Sequence, residues 1–306
     1  MKMAKLEVKI GKIKLKNPVM AASGTFGYAK EFEKLVNLKH IGAIITKTIT
    51  LNPRQGNPMP RICETSAGIL NAIGLQNEGI DNFLKEKIPY LSKIGTPIIV
   101  SISGNNIDEF FILARRLDKI KSISGIELNI SCPNINCEGL VAQDTKETHE
   151  VVKAVRKITD KTIITKLSPN VTDIVKIARA AENAGSDAVS LVNTFFGMAI
   201  DINTRKPKLG NITGGLSGPC IKPIALRMVY EVSKNIDIPV IGIGGIMNAN
   251  DAIEFMMAGA AAIQVGTANF IEPGVCDKIV KGIEEYLKKH KIEKIEDIAG
   301  NLDGNN

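Results

Sequence analysis

TIITKLSPNVTDIVKIARAAENAGSDAVSLVNT, residues 162–194, contains one complete copy of the pattern that decides the fold. It begins with an apolar, β-branched run, TIITKLS (162–168), and ends with another, AVSLVNT (188–194). Between them, VTDIVKIARAAENAG (171–185) spaces its apolar residues three and four apart, as on one face of a helix. Apolar residues on consecutive positions suit strands covered on both faces. Two such strands joined by a helix predict a parallel βαβ unit.

The unit recurs along the chain. Further runs are PVMAAS ending at Ser23, GAIITKT ending at Lys47 and Thr48, PIIVSIS ending at Ser103, and GIELNIS ending at Ser131. PVIGIGG closes at Gly244 and Gly245, and AAIQVGT at Gly266 and Thr267. Amphipathic segments such as 108–120 and 148–159 lie between them. Eight strands alternating with helices predict an α/β fold, a closed (β/α)8 TIM barrel, whose usual size is about 250 residues. The rival is a doubly wound open sheet, which usually has fewer strands. The opening LEVKIGKIKLKN (6–17) alternates about Gly11 and predicts a short N-terminal β-hairpin plugging the barrel bottom. Long insertions at 49–80, 132–147 and 195–222 all leave from strand C-termini, the face where barrel enzymes keep their sites.

Composition narrows the function. With 306 residues, 44% of them hydrophobic, the chain can bury a large core, and with no Trp that core is mostly aliphatic. No apolar run approaches the roughly 18 residues of a membrane span, and the N-terminus lacks the apolar core of a signal peptide. A cytoplasmic location is expected, with no membrane contact. The net charge of +7 comes from scattered lysines interleaved with acids, as in 284–297. That distribution argues against a nucleic-acid partner while favouring an anionic small ligand. The cysteines, Cys63, Cys132, Cys137, Cys220 and Cys276, are odd in number and form no C-x-x-C. Neither a metal site nor a disulfide framework is indicated.

The strand ends carry the chemistry. Ser23, Thr48 and Thr194 either cap the next helix or face a site. Lys47 and Lys166 sit late inside apolar strands, where an unpaired ammonium is costly; each requires an anion, either a protein carboxylate or a ligand. The glycines of GIGGI (242–246) and QVGTANF (264–270) either make tight turns or bring backbone N–H groups to a phosphate. Met247 occupies the third glycine position of a dinucleotide fingerprint, so no NAD fold is indicated. NAIGLQN (71–77), with Asn129, Asn134 and Asn193, gathers side-chain amides suited to a cyclic imide or amide.

The motifs ASGTFG (22–27), TKT (46–48), GNPMPR (56–61), NAIGLQN, LNISCPN (128–134), KLSPN (166–170), VNTFFGMAID (192–201), TGGLSGP (213–219), GIGG (242–245) and VGTANF (265–270) follow one another in a specific order. In that order the chain resembles the dihydroorotate dehydrogenases over nearly its whole length. It is most similar to the catalytic subunit of the NAD-linked, two-subunit type.

The resemblance implies a single FMN-binding TIM-barrel domain over 1–306 that oxidises dihydroorotate to orotate in pyrimidine biosynthesis. Carried over by position, FMN contacts fall on Ser23, Lys47, Thr48, Ser101, Asn129, Lys166, Val192, Gly218, Gly244, Gly245, Gly266 and Thr267. Substrate contacts fall on Lys47, Asn71, Ala72, Ile73, Gly74, Leu75, Asn129, Asn193 and Thr194. The family's catalytic base matches Cys132, whose thiol is a usable base near neutrality. Ser101 departs from the asparagine of relatives, which weakens its place among the FMN contacts. The resemblance further implies a partner: an iron–sulfur and FAD electron-transfer subunit passing electrons to NAD+, in a heterotetramer of two catalytic and two electron-transfer subunits. No N-terminal extension of the membrane-bound, quinone-using type is expected, since the first strand starts near Pro18. Two alternatives stand beside this function. One is a related FMN dehydrogenase acting on another dihydropyrimidine. The other is a flavin-free phosphate-binding barrel, either an isomerase or lyase or a binding module.

Overall fold

A computed structural model of the chain describes residues 4–131 and 141–302. All eight apolar runs are strands: β1 (Val19–Ala21), β2 (Ala43–Ile45), β3 (Ile98–Ile102), β4 (Ile123–Asn129), β5 (Thr162–Lys166), β6 (Ala188–Leu191), β7 (Val240–Ile243) and β8 (Ala260–Val265). They pair in parallel around a closed ring, with β8 against β1 through Ile263↔Val19 and β5 against β6 through Ile164↔Ala188. Closure rules out the open sheet and leaves a (β/α)8 TIM barrel. Every residue of β1, β2, β3, β5, β6 and β7 is buried, which is why these runs do not alternate.

The helices begin where the sequence supplies a cap. Asn106 Oδ1 accepts from Glu109 N (2.9 Å), Asp144 from Glu147 N (2.9 Å) and Asp173 from Lys176 N (3.2 Å). These bonds start the helices Ile107–Asp118, Thr145–Arg156 and Ile174–Asn183. The first crossover breaks the rhythm, for it holds only the 3-10 turns Lys30–Phe32 and Leu38–His40. Ala29, at φ 68°, stands in the left-handed region immediately before the first of these turns. Among the described residues no helix is long and apolar enough to cross a membrane.

The expected hairpin is present as Val8–Ile10 paired with Ile13–Leu15. Its alternate residues are buried, and Lys12 N donates to Thr162 Oγ1 (2.9 Å) at the start of β5. The hairpin therefore seals the end of the barrel opposite the strand C-termini.

The insertions after β2 and β6 do something the sequence reading did not foresee. They jointly build a four-stranded antiparallel sheet, in the order Phe195–Met198, Thr213–Ser217, Gly68–Asn71, Ile62–Thr65. Leu70, Ala72 and Leu209 form a small separate core beneath it. Inside the barrel, fully buried Glu127 on β4 accepts from Gln264 Nε2 (2.8 Å) and Ser190 Oγ (3.2 Å). Polar side chains thus continue below the rim.

Gly242 in β7 belongs to packing. A Cβ there would lie 2.5 Å from Cδ1 of Phe255, a fully buried ring on the helix Ala249–Met257. Overpacking of this kind costs about 1–3 kcal/mol. Gly242→Ala is expected to lower the unfolding free energy by that amount, seen as a lower urea midpoint with an unchanged slope. An unchanged midpoint would mean that the Phe255 ring yields freely.

Candidate active site

Parallel strands spend their main-chain groups on neighbouring strands, so the residues just past their C-termini are free to face a ligand. Two clusters and one cradle assemble at this rim. In the first cluster, Lys166, the last residue of β5, is buried, and its Nζ meets Ser23 Oγ across the barrel mouth at 3.5 Å. It forms no ion pair among the described residues. Of the two partners the sequence allows for this ammonium, a protein carboxylate or a ligand, no carboxylate pairs with it among the described residues. Lys47 lies two residues past β2, half-buried, with its N bonded to Gly27 O (2.8 Å). Burial pulls Lys47 below the usual lysine range; Glu31 and Glu78 oppose the shift, and Arg61 adds to it.

The second cluster runs from β2 to β6. Thr48 Oγ1 and Ser101 Oγ are 2.9 Å apart, Asn129 Nδ2 donates to Thr48 Oγ1 (3.3 Å), and Asn193 Nδ2 reaches Asn129 Oδ1 (3.5 Å). Thr194 N is held by Asn193 Oδ1 at 2.9 Å. Asn71 joins from the insertion sheet: its Nδ2 donates to Gly215 O (3.1 Å), and Gly215 packs so tightly on Thr194 that a Cβ would lie 2.0 Å from Oγ1. Ala72 N is bonded to Arg61 O (2.8 Å) and Ile73 O to Asn57 N (3.1 Å). Ile73, Gly74 and Leu75 share no hydrogen bond with the other candidates among the described residues; Gly74 and Leu75 turn through φ 72° and 52°, and Asn77 Nδ2 holds Leu75 O at 2.7 Å.

The cradle forms after β7 and β8. Gly245 adopts φ 74°, and a Cβ there would meet Lys222 N at 2.9 Å and Gly218 O at 3.0 Å. Gly218 adopts φ 102° with Gly68 Cα 2.8 Å from its missing Cβ. These turns admit only glycine. Gly266 differs: a Cβ would meet only Ala22 Cβ at 3.9 Å, so its small size leaves open space rather than relieving a clash. Thr267 Oγ1 donates to Ser217 Oγ (2.9 Å), tying the end of β8 to the insertion sheet. Lys222, whose backbone lies against Gly245, is paired to Asp251 (2.7 Å) and Glu254 (3.0 Å). Those bonds, Asp251's foremost, hold it above the usual lysine range and leave the cradle to backbone N–H groups. Val192, buried just beyond β6, has its N bonded to Ile243 O (2.9 Å) and bridges cluster and cradle.

Cys132 lies outside the described residues, as do Asn134 and Cys137. The chain leaves β4 at Ile130 and is back at Ala142, whose N donates to Ile130 O (3.0 Å). Of the other cysteines, Cys276 is buried and its thiol is pushed up to about 12 by that burial, Cys220 is exposed, and Cys63 is on the insertion sheet. None of these three belongs to either cluster. The sequence reading passed over four residues that matter to the rim. Ser217 ties down Thr267, Asn77 anchors Leu75, Glu127 lies beneath the clusters, and Asn170 grips the backbone beyond β6. Glu127 carried a usable signal, a charge inside an apolar strand, of the same kind that singled out Lys166.

Residues 5–287 match the family model described as dihydroorotate dehydrogenase. The chain is 56% identical over 298 residues to the dihydroorotate dehydrogenase B (NAD(+)) catalytic subunit of Geotalea daltonii, covering 97% of this chain and 98% of the relative. It is 56% identical over 303 residues to the protein of the same name from Geobacter metallireducens, covering 99% of each. The same name belongs to a protein of Geobacter sulfurreducens that is 56% identical over 299 residues, 97% of this chain and 98% of its own length. A rim of strand-end lysines and amides beside a glycine cradle, with a match of this length, assigns the chain to the dihydroorotate dehydrogenase family.

Proposed function

We propose that this chain oxidises dihydroorotate to orotate in pyrimidine biosynthesis, as the catalytic subunit of an NAD-linked enzyme. The observation that carries the proposal is the buried Lys166 ammonium, without an ion-pair partner among the described residues, on the same rim as a glycine cradle. A buried cation lacking a protein counter-charge fits a ligand that brings negative charge to it. FMN satisfies both ends. Its phosphate suits the backbone N–H groups of Gly218, Gly244, Gly245, Gly266 and Thr267. Its ring suits Ser23, Lys47, Thr48, Ser101, Asn129, Lys166 and Val192, and it supplies the hydride acceptor of the reaction when bound.

The chain's own residues do the rest. Lys47 offers its ammonium to the substrate carboxylate. Asn71, Asn129, Asn193 and Thr194 present donors and acceptors to the ring amides, and Ala72, Ile73, Gly74 and Leu75 supply the backbone wall. Cys132, three positions past the β4 end in the sequence, takes the proton from C5 onto Sγ as its thiolate and becomes the neutral thiol. Electrons leave through a separate subunit holding an iron–sulfur cluster and FAD, with NAD+ as the final acceptor, in an assembly of two subunits of each kind.

The purified protein is expected to be yellow, and dihydroorotate is expected to bleach its visible flavin band under anaerobic conditions. A colourless protein that takes up no FMN would overturn the proposal. Cys132→Ala is expected to retain FMN and slow single-turnover bleaching by roughly 10²–10⁴, the contribution of a general base. Bleaching at the parent rate would remove Cys132 from that role.

Lys47 also predicts a pH dependence. A lysine is charged below its pKa, and the carboxylate binds the charged form. Orotate affinity should therefore be full at neutral pH and decline as pH rises through the Lys47 value. Burial lowers that value, so the decline begins at lower pH than an ordinary lysine would give. Lys47→Ala should bind orotate weakly and with no such decline; a decline that persists in this variant belongs to another group.

A further inference from the structure

Asn170 stands outside the proposed set of FMN and substrate contacts. It closes KLSPN just beyond β5, and its side chain is bonded at both ends to the backbone that follows β6. Oδ1 accepts from Phe196 N at 2.9 Å, and Nδ2 donates to Thr194 O at 3.0 Å. One partner is an N–H and the other a carbonyl, so only one orientation of the amide serves both. The amide is itself fixed from behind. Nδ2 and Asn170 N each lie 3.2 Å from Oγ of buried Ser168, and Asn170 O accepts from Gln143 Nε2 at 2.7 Å.

The clasped stretch is the one that bears Asn193 and Thr194. β6 ends at Leu191, so these residues lie beyond the barrel ladder. Their backbone is guided by the Asn193 N to Leu167 O bond (2.9 Å) and by the two Asn170 bonds. A carboxamide is suited to the task because it offers a donor and an acceptor in one plane, as a peptide group would. Aspartate keeps the acceptor and turns a second oxygen toward Thr194 O. Alanine loses both bonds.

We infer that Asn170 is a positioning residue for the substrate side of the site. Its clasp fixes where Asn193 and Thr194 stand, and so governs affinity for the planar ring rather than retention of the cofactor. The inference rests on the reading of Asn193 and Thr194 as substrate contacts.

The test compares the FMN-loaded parent with Asn170→Ala, Asn170→Asp and Asn193→Ala. FMN content, melting temperature, orotate affinity from the shift of the flavin band, and KM and kcat for dihydroorotate are measured for each. Both Asn170 variants are expected to keep FMN and to weaken orotate binding by about tenfold or more, the size of one to two lost hydrogen bonds. KM should rise by a larger factor than kcat falls. Should the alanine variant fail to fold, the aspartate variant carries the comparison. Loss of FMN or of folding in both variants would make Asn170 a structural residue and overturn the inference. Parent-like orotate binding in the Asn170 variants, beside weak binding in Asn193→Ala, would overturn the clasp while leaving the substrate reading intact. Parent-like binding in Asn193→Ala would overturn that reading and the inference with it.

Discussion

Parallel pairing around a closed ring places every strand C-terminus on one edge of the molecule, and most of what this protein holds in common follows from that placement. The strands exchange their N–H and C=O groups sideways, from Ile164↔Ala188 at one junction to Ile263↔Val19 at another. Side chains at the strand ends are therefore the free valences of the sheet. Ser23 and Lys166 are 143 positions apart in sequence yet meet across the mouth at 3.5 Å. The hairpin closes the opposite end through Lys12 and Thr162, so only the C-terminal edge is left for chemistry.

The barrel was legible because its signals are local. Consecutive apolar residues mark strands buried on both faces, and apolar residues three and four apart mark the helices between them, as in Ile174–Asn183. The insertion sheet was not legible, because its pairing is not local. Asn71 pairs with Gly215, and nothing in either Gly- and Pro-rich segment identifies the other as its partner. Gly214 and Gly215 let Thr213–Ser217 lie close against Asn71 and Thr194.

Charge was a better guide than glycine. Lys47 and Lys166 were singled out by the cost of an ammonium in an apolar run, and both stand at the rim. The same reasoning reaches Glu127, which was passed over and proves to organise Gln264 and Ser190 inside the barrel. Glycines need the third dimension before they divide into classes. In GIGGI, Gly242 accommodates the Phe255 ring, while Gly245 turns beneath the Gly218 loop, and the sequence writes both with the same letter. Cys132 stands apart, since the role proposed for it rests on its place after β4 in the sequence and on family likeness.

The two sides of the rim are held in different ways, and the difference bears on how each can change. The cradle and the Lys166 side rest on strand ends and on glycine turns whose backbone no other residue could follow. Altering them perturbs the barrel itself. The Asn193, Thr194 and Asn71 side rests on connections outside the barrel ladder, held by side-chain amides such as Asn170 and Asn77 and by the insertion sheet. Each of those bonds contributes on the order of 1 kcal/mol, enough to shift a ligand's affinity severalfold while leaving the closed sheet untouched. The side built on these connections can thus be retuned by residues outside the two clusters, whereas the cradle side is bound to the fold.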